Sequence, residues 1–214
     1  IVDDELSQVR RHRQEKLQTF IDRGVEPYAY SYERTHLARD AVDCFEQDEA
    51  AGGLTEKGHG GDVSVAGRIM SYRTHGKSAF AHVEDRSGQI QIYLRKNVLG
   101  DENFEDLDLL DLGDWIGVKG TLFRTRTGET TIQVQEWTLL SKSMRPLPLG
   151  KTETDSETGE RTTFGAFSDT ETRYRQRYAD LAVHPEVREV FRTRAKIITE
   201  LRTFLDGEDF LEVE

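Results

Sequence analysis

The sequence is poor in cysteine and in long apolar runs. Cys44 is the single cysteine among 214 residues, so no disulfide can form within the chain. This composition fits a reducing compartment, and we expect a cytoplasmic protein. No run of about 18 apolar residues occurs, and the first residues lack the apolar segment of a secretory signal, so no membrane span is expected.

Metal-ligand and phosphate-loop motifs are also missing from the sequence. The six histidines and one cysteine show no zinc-ligand spacing, so no metal site is expected. The glycine-rich segment at 49–62 contains "GHGGD", which is typical of a turn, and no glycine-rich phosphate loop is found. The sequence therefore predicts no cofactor bound by this chain itself.

Basic residues are outnumbered, with 29 Lys and Arg against 40 Asp and Glu and a net charge of −11. Such a balance argues against indiscriminate binding to nucleic acid, although it leaves room for a local basic site. One basic run, "RRHR" (10–13), interrupts an apolar stripe that predicts a helix over 3–23. This run is either a solvated helix face or a contact for a polyanion.

Residues 62–142 show the most regular alternation in the chain. The pattern predicts five strands, at about 63–73, 77–85, 88–95, 114–125 and 129–140. Between the third and fourth strands, residues 100–114 have apolar residues at helical spacing. This order predicts a mainly β protein with a five-stranded OB-fold Greek-key barrel, and a generic small β-barrel is the alternative.

Helices are predicted on both sides of the barrel. A second short helix is expected over 35–50, and a strongly amphipathic helix over 185–206, followed by a strand in "FLEVE" (210–214). The polar stretch 149–167 predicts a mobile loop. The predicted segments are an N-terminal helical extension (1–61), the OB-fold domain (62–148), a linker (149–184) and a C-terminal segment (185–214).

The outward-facing side chains of the second and third strands point to a function. In "GKSAFAHVEDRSGQIQIYL" (76–94), small or branched apolar residues occupy one side, so Phe80, His82 and Gln91 fall on the other. An exposed aromatic ring can stack on a nucleic-acid base, at about 1–3 kcal/mol per base. A glutamine amide offers a donor and an acceptor to a base edge. Alternatively, Phe80 packs under a loop or the N-terminal helix, and Gln91 is merely solvated.

Charged residues flank this pair of strands. Arg73, at the end of the first strand, is a candidate for a phosphate or base contact. Arg124 and Arg126 lie near the turn between the fourth and fifth strands and are candidates for holding an RNA backbone. Glu129 follows that turn and could accept a hydrogen bond from a base.

Several segments resemble the class II lysyl-tRNA synthetases. "VAGRIMSYRTHGKSAFAHVEDRSGQIQIYL" and "LGDWIGVKGTLFRTRTGE" resemble the family's anticodon-binding domain, and "RYRQRYADL" resembles the segment leading to its catalytic domain. The barrel alone is shared with aspartyl and asparaginyl enzymes, and in all three families the central anticodon base is U. The resemblance implies that the stacking Phe falls on Phe80, the base-reading Gln on Gln91, and the family's Arg and Glu on Arg73 and Glu129. The RNA-binding candidates from residues and resemblance together are Phe80, Gln91, Arg73, Glu129, His82 and Arg126.

The C-terminal helix resembles motif 1 of class II synthetases, which lies at a dimer interface. Residues 185–214 would then begin the catalytic domain, and a homodimer is implied for the full-length protein. The predicted interface stripe consists of Val187, Val190, Phe191, Ile198, Leu201 and Leu205.

No residues match the family's motifs 2 and 3, so this chain is expected to be inactive alone. The implied full-length enzyme attaches lysine to tRNA, using ATP and Mg²⁺, through an aminoacyl-adenylate. The implied partner is the anticodon stem-loop of lysine tRNA.

Two other functions are compatible with parts of the pattern. A sequence-tolerant single-strand-binding OB protein needs only an aromatic groove, but this leaves "RYRQRYADL" and the C-terminal helix unexplained. An interaction protein that dimerises through that helix does not need an outward Phe80. Binding to a lysine anticodon stem-loop, compared with poly-U of equal length, distinguishes the three.

Overall fold

The computed structural model describes the backbone of residues 2–154, 161–164 and 167–213, and the side chains of residues 8–150 and 167–213. The chain divides into two compact units, Ile1–Pro146 and Leu147–Glu214, which are described separately. The four segments predicted from the sequence remain a prediction.

Five strands of the first unit form a closed barrel in the order β1-β2-β3-β5-β4. All neighbours are antiparallel except β3 and β5, which run parallel. This arrangement confirms the predicted five-stranded OB-fold. The strands are β1 (His59–His75), β2 (Ser78–Glu84), β3 (Gln89–Arg95), β4 (Trp115–Arg124) and β5 (Thr130–Ser141).

The alternation seen in the sequence decides which side chains fill the barrel. Ala79 and Ala81 of β2, together with Ile90, Ile92 and Leu94 of β3, are at most 2% exposed. Since successive side chains on a strand point to opposite faces, their neighbours Phe80 and Gln91 lie on the outer surface of the barrel wall.

Helices close the barrel on several sides. α1 (Val2–Asp22) buries Phe20 in the core, and α2 (Ala38–Ala50) buries Phe45. The segment between β3 and β4 contains α3 (Lys96–Leu99), α4 (Asp101–Glu105) and a 3₁₀ helix (Asp106–Leu109). The predicted helical segment at 100–114 is therefore split into short pieces.

Three residues of the basic run of α1 (10–12) are exposed, but the fourth, Arg13, has a structural role that the sequence did not predict. Arg13 is 6% exposed, and its guanidinium donates to the carbonyl oxygens of Ser143 (2.7 Å) and Leu112 (3.1 Å). A buried guanidinium must satisfy its donors, and two loop carbonyls accept from it here. Arg13 thus connects α1 to the end of the barrel. It is neither solvated nor available to contact a polyanion.

A buried lysine lies at the same end of the barrel. The Lys142 side chain is 0% exposed, and its Nζ donates to Asp114 Oδ2 (2.7 Å), Asp111 Oδ2 (2.5 Å) and the Leu109 carbonyl (3.0 Å). Asp114, also fully buried, accepts from the Ser143 amide at 2.7 Å. Burial alone would raise the pKa of Asp111, but hydrogen bonds from Lys142 and Lys16 outweigh it and lower that pKa.

The second unit contains more structure than the predicted linker. β6 (Lys151–Thr154) pairs antiparallel with β7 (Arg161–Phe164), so the stretch predicted as a mobile loop includes a two-stranded sheet. The rest of that prediction, at 155–160 and 165–166, lies outside the described residues. Two short helices follow, α5 (Thr170–Arg175) and α6 (Arg177–Val183).

The "RYRQRYADL" segment is organised around one buried carboxylate. Asp180 is 0% exposed and accepts from Arg173 Nε (2.8 Å), and it also contacts Arg177 and His184. Burial alone would raise the pKa of Asp180, but the hydrogen bonds from Arg173 and His184 lower it. Arg173 therefore links α5 to α6 within the unit, while Arg177 pairs with Asp180 inside α6.

The C-terminal helix α7 (Pro185–Gly207) follows the predicted bounds closely and buries none of its residues. On its apolar stripe, Val190 is 67% and Leu201 56% exposed. The strand predicted at 210–214 is not formed over 210–213, and Glu214 lies outside the described residues. A strand needs a neighbour to pair its backbone groups, and within the described residues these four have none.

Candidate nucleic-acid interface

An aromatic stack lies on the outer face of the barrel. The rings of Phe80 on β2 and Tyr93 on β3 are parallel within 19°, with centroids 4.4 Å apart. These two residues are register partners in the β2–β3 ladder, and Arg73 of β1 is the register partner of Phe80 on its other side. The Arg73 guanidinium carbon lies 5.5 Å from the centre of the Phe80 ring. We call Arg73, Phe80 and Tyr93 the stacking platform.

The geometry of the stacking platform limits where a base can bind. Tyr93 covers one face of Phe80, and Arg73 lies over the other. A base inserted between Arg73 and Phe80 requires two stacking separations, about 7 Å in total. The Arg73 guanidinium carbon now lies 5.5 Å from the centre of the Phe80 ring, so the gap is too small for a base. Arg73 is exposed, and its side chain has to move outward to admit a base.

A chain of hydrogen bonds runs beside the platform. Ser71 Oγ lies 2.8 Å from His82 Nδ1, and His82 Nε2 lies 2.7 Å from Glu129 Oε1. The other carboxylate oxygen of Glu129 accepts from Gln91 Nε2 at 2.6 Å. Gln91 Oε1 in turn accepts from Thr131 Oγ1 at 2.9 Å. We call these five residues the polar relay.

The polar relay fixes the orientation of the Gln91 amide. A carboxylate can only accept hydrogen bonds, so the amide nitrogen must face Glu129 and the amide oxygen must face Thr131. One N–H of Gln91 and one lone pair of its oxygen then remain for another partner. Gln91 is only 3% exposed, which corrects the expectation that it faces solvent. Glu129 covers it, and its own side chain is 44% exposed.

The two arginines near the β4–β5 turn have different environments. Arg124 donates to Glu49 of α2 (Nε to Oε1, 2.9 Å) and to the Gly128 carbonyl (2.8 Å), and it lies 5.3 Å from the Phe45 ring centre. Its hydrogen bond to Glu49 lowers the pKa of that carboxyl. Arg124 therefore connects the β4–β5 turn to α2. The sequence instead predicted that Arg124 contacts RNA. Arg126 is exposed and has no polar partner among the described residues.

Three residues of this surface were missed as candidates from the sequence alone. Tyr93 completes the stack, and Ser71 and Thr131 end the polar relay. The alternation already put Tyr93 on the side of Gln91, so the signal was present. Ser71 and Thr131 have no comparable signal, because their roles depend on the β1–β2 and β3–β5 registers.

The described part of the chain offers neither a cluster of metal ligands nor a membrane-spanning helix. The described residues contain no group of three or more His, Cys, Asp or Glu side chains placed to hold a metal ion. Across that same part of the chain, no helix combines the length and the apolar character needed to cross a bilayer.

Comparisons with known proteins agree with the barrel assignment. Residues 63–140 match the family described as OB-fold nucleic acid binding domain. Residues 169–214 match the family described as tRNA synthetases class II (D, K and N). The first match spans nearly the whole barrel, including the stacking platform and the polar relay.

Full-length relatives extend this similarity to the whole chain. Lysine–tRNA ligase of Pelotomaculum thermopropionicum is 47% identical over 212 residues, which is 99% of this chain and 37% of that protein. Lysine–tRNA ligase of Carboxydothermus hydrogenoformans is 44% identical, covering 98% of this chain and 38% of the relative. Lysine–tRNA ligase of Staphylococcus epidermidis is 40% identical, and the match covers 100% of this chain and 40% of the relative. The chain spans about two fifths of the length of these relatives, and it belongs to the lysine–tRNA ligase family.

Proposed function

We propose that the barrel binds the anticodon stem-loop of lysine tRNA on the face formed by β1, β2 and β3. The observation that carries the proposal is the pairing of an outward aromatic stack with a glutamine whose amide direction is fixed. The stack supplies affinity for any base, and the fixed amide supplies selectivity for one. Arg126, at the turn beside Glu129, is proposed to contact the RNA backbone.

The central base of the anticodon is proposed to be read by the polar relay. Uracil presents a carbonyl acceptor at O4 and an N–H donor at N3. The second N–H of Gln91 suits O4, and the carboxylate of Glu129 suits N3–H. Because Glu129 covers Gln91, its side chain has to shift when the base enters. Cytosine presents an amino group where uracil has O4. The cytosine amino group and the second N–H of Gln91, both donors, would then face each other.

This reading predicts discrimination at the central anticodon position. A hairpin with the loop anticodon UUU should bind about 5- to 150-fold more tightly than one with UCU, since an unsatisfied polar group costs about 1–3 kcal/mol. Fluorescence anisotropy with the two labelled hairpins measures this ratio. A poly-U strand of equal length tests the sequence-tolerant alternative. Equal affinity for UUU and UCU would contradict base reading by Gln91 and Glu129, while leaving stacking intact.

We further infer that this chain acts as part of a cytoplasmic lysine–tRNA ligase. Support comes from the similarity over the whole chain and from the class II match at 169–214. In the complete enzyme, ATP and Mg²⁺ would serve the activation of lysine. The residues of this chain would contribute anticodon binding, and aminoacylation would depend on the remainder of the protein.

A homodimer through α7 is proposed for the same protein. The stripe has six apolar residues on a 23-residue helix, five of them exposed and Val187 half-buried, which is typical of a surface covered by a partner. Val187, Val190 and Phe191 fall on one side of this helix with Ile198, Leu201 and Leu205, at spacings of three, four and seven residues.

Changing the stripe should abolish self-association. Leu201→Asp places a charge in the proposed contact, so the variant should sediment as a monomer at concentrations where the native protein forms dimers. Sedimentation velocity at several concentrations provides the measurement. Thr203→Asp, on the opposite side of α7, is the matched control and should behave like the native protein. A native protein that stays monomeric at all concentrations would refute the proposal for this chain.

A further inference from the structure

Glu129 combines a backbone held by the β4–β5 turn with a side chain shared between two donors. Its amide donates to Thr125 Oγ1 at 3.0 Å, and its carbonyl accepts from the Thr125 amide at 3.0 Å. Its carboxylate accepts from His82 through Oε1 (2.7 Å) and from Gln91 through Oε2 (2.6 Å). Because the turn holds the backbone, the movement that admits a base has to come from the Glu129 side chain.

Only one of the two carboxylate contacts has to break for a base to reach Gln91. Gln91 is 3% exposed, so the bond between its amide and Oε2 of Glu129 has to open. The other oxygen bonds to His82 on β2, which is the register partner of Gln91. Breaking that second bond would not uncover the Gln91 amide. The carboxylate can therefore leave Gln91 while Oε1 stays on His82.

The His82 ring is itself held in place. Its side chain is 28% exposed, and its Nε2 faces a carboxylate, which only accepts hydrogen bonds, so Nε2 carries a proton. In the neutral ring Nδ1 is then an acceptor, and the Ser71 hydroxyl, 2.8 Å away, donates to it. Both ring nitrogens are engaged within the barrel wall, so His82 acts on a base through Glu129 and not through a hydrogen bond of its own.

We propose that His82 is a positioning residue that decides how selectively the carboxylate of Glu129 reads the base. It keeps Oε1 in place while Oε2 passes from the Gln91 amide to N3–H of the central uracil. This inference rests on the proposed reading of the anticodon and adds a residue that does not touch the RNA. Without His82, the displaced Glu129 side chain, 44% exposed, turns into solvent, and ordering it against the base costs conformational entropy.

The preference for uracil over cytosine is the readout of this role. His82→Leu should weaken binding of the UUU hairpin about 3- to 10-fold and should not weaken binding of the UCU hairpin, because only uracil offers N3–H to Glu129. Fluorescence anisotropy with both hairpins, corrected for the folded fraction of each variant, measures the two affinities. A loss that is equal for the two hairpins would assign His82 to packing and overturn the proposal.

A conservative variant and a matched control accompany this measurement. His82→Gln places an amide N–H close to the position of Nε2, so it should restore most of the preference for UUU. His36→Leu changes another histidine bonded to a neighbouring hydroxyl, that of Thr35 at 2.8 Å, in the loop before α2. This control should change neither affinity. A His82→Gln variant that behaves like His82→Leu would contradict a role based on the Nε2–H donor.

A double-mutant cycle with Glu129→Ala distinguishes positioning from direct contact. Once the carboxylate is absent, His82→Leu should cause no further loss of UUU affinity. Additive losses in the double variant would mean that His82 contacts the RNA itself, which overturns the inference. If the native protein prefers UUU and His82→Leu keeps the full preference, the inference is wrong and base reading stands. If the native protein binds both hairpins equally, base reading fails and the role of His82 fails with it.

Discussion

Phe80→Ala is expected to weaken binding of the lysine anticodon hairpin about 5- to 150-fold, because base–aromatic stacking contributes about 1–3 kcal/mol. The ring also supports Tyr93, which would lose its stacking partner and its fixed orientation. Binding isotherms with the UUU hairpin, measured at one fixed salt concentration, give the ratio. Phe80→Leu keeps apolar bulk without a π-face, and it should therefore resemble the alanine variant in affinity.

The folding stability of the same variant decides between a binding and a packing role. Phe80 is half-buried, and losing its contact with Tyr93 should cost about 0.5–1.5 kcal/mol. Phe45→Ala, at a fully buried ring, should cost about 3–5 kcal/mol and provides the reference for a core position. If Phe80→Ala destabilises the barrel as Phe45→Ala does, and its folded fraction binds RNA normally, Phe80 is a packing residue and the interface has been misplaced.

Lys142→Met should lower the free energy of unfolding by about 3–5 kcal/mol, because it leaves the buried carboxylate of Asp114 without its cation and Asp111 with Lys16 alone. Asp114 is 0% exposed, and Asp111 is largely enclosed beside it. Urea denaturation followed by tryptophan fluorescence measures the change. The matched control is Lys119→Met, whose exposed ion pair with Glu136 should be worth at most about 1 kcal/mol. Equal losses in the two variants would show that the Lys142 cluster does not hold the barrel end together.

The pH dependence of stability provides a second readout of this cluster. The pKa of Asp111 is lowered in the folded protein, so its contribution is present above the unfolded value of about 3.9. That contribution is lost as the pH falls through the lower folded pKa. In Lys142→Met, the hydrogen bond from Lys142 is lost while the one from Lys16 remains, so the pKa of Asp111 is lowered less than in the native protein. Because a smaller lowering of this pKa gives a smaller contribution above the unfolded value, acidification should remove less stability from Lys142→Met than from the native protein.

The barrel was predictable because its pattern is local. Alternation in 76–94 identifies the inner positions of β2 and β3, such as Ala81 and Ile92, and the strand order then specifies the OB-fold. The outer location of Phe80 follows from the same alternation. The amphipathic pattern of 185–206 likewise gave α7 within one residue of its end.

The environments of individual polar residues were not predictable in this way. Gln91 lies on the expected side of β3, but Glu129 reaches across from 38 residues away to cover it. Arg124 was expected to meet RNA and instead pairs with Glu49, which is 75 residues distant in sequence. Arg13 looked like a solvated base and is buried against loop carbonyls. Each outcome depends on a long-range contact that side-chain alternation cannot specify.

The parallel β3–β5 contact has a consequence for how the protein acquires its binding surface. Only three residue pairs join these strands, and they include Gln91 with Thr131 and Tyr93 with Gln133. The two residues of each pair are 40 residues apart in sequence. Forming this contact therefore has a loop-closure entropy cost that the β2–β3 hairpin avoids. Contacts of high sequence separation tend to slow folding. The residues proposed to read RNA therefore lie on the junction that completes the barrel. A transient opening there would separate Glu129 and Thr131 from Gln91, while the hairpin and its Phe80–Tyr93 stack persist.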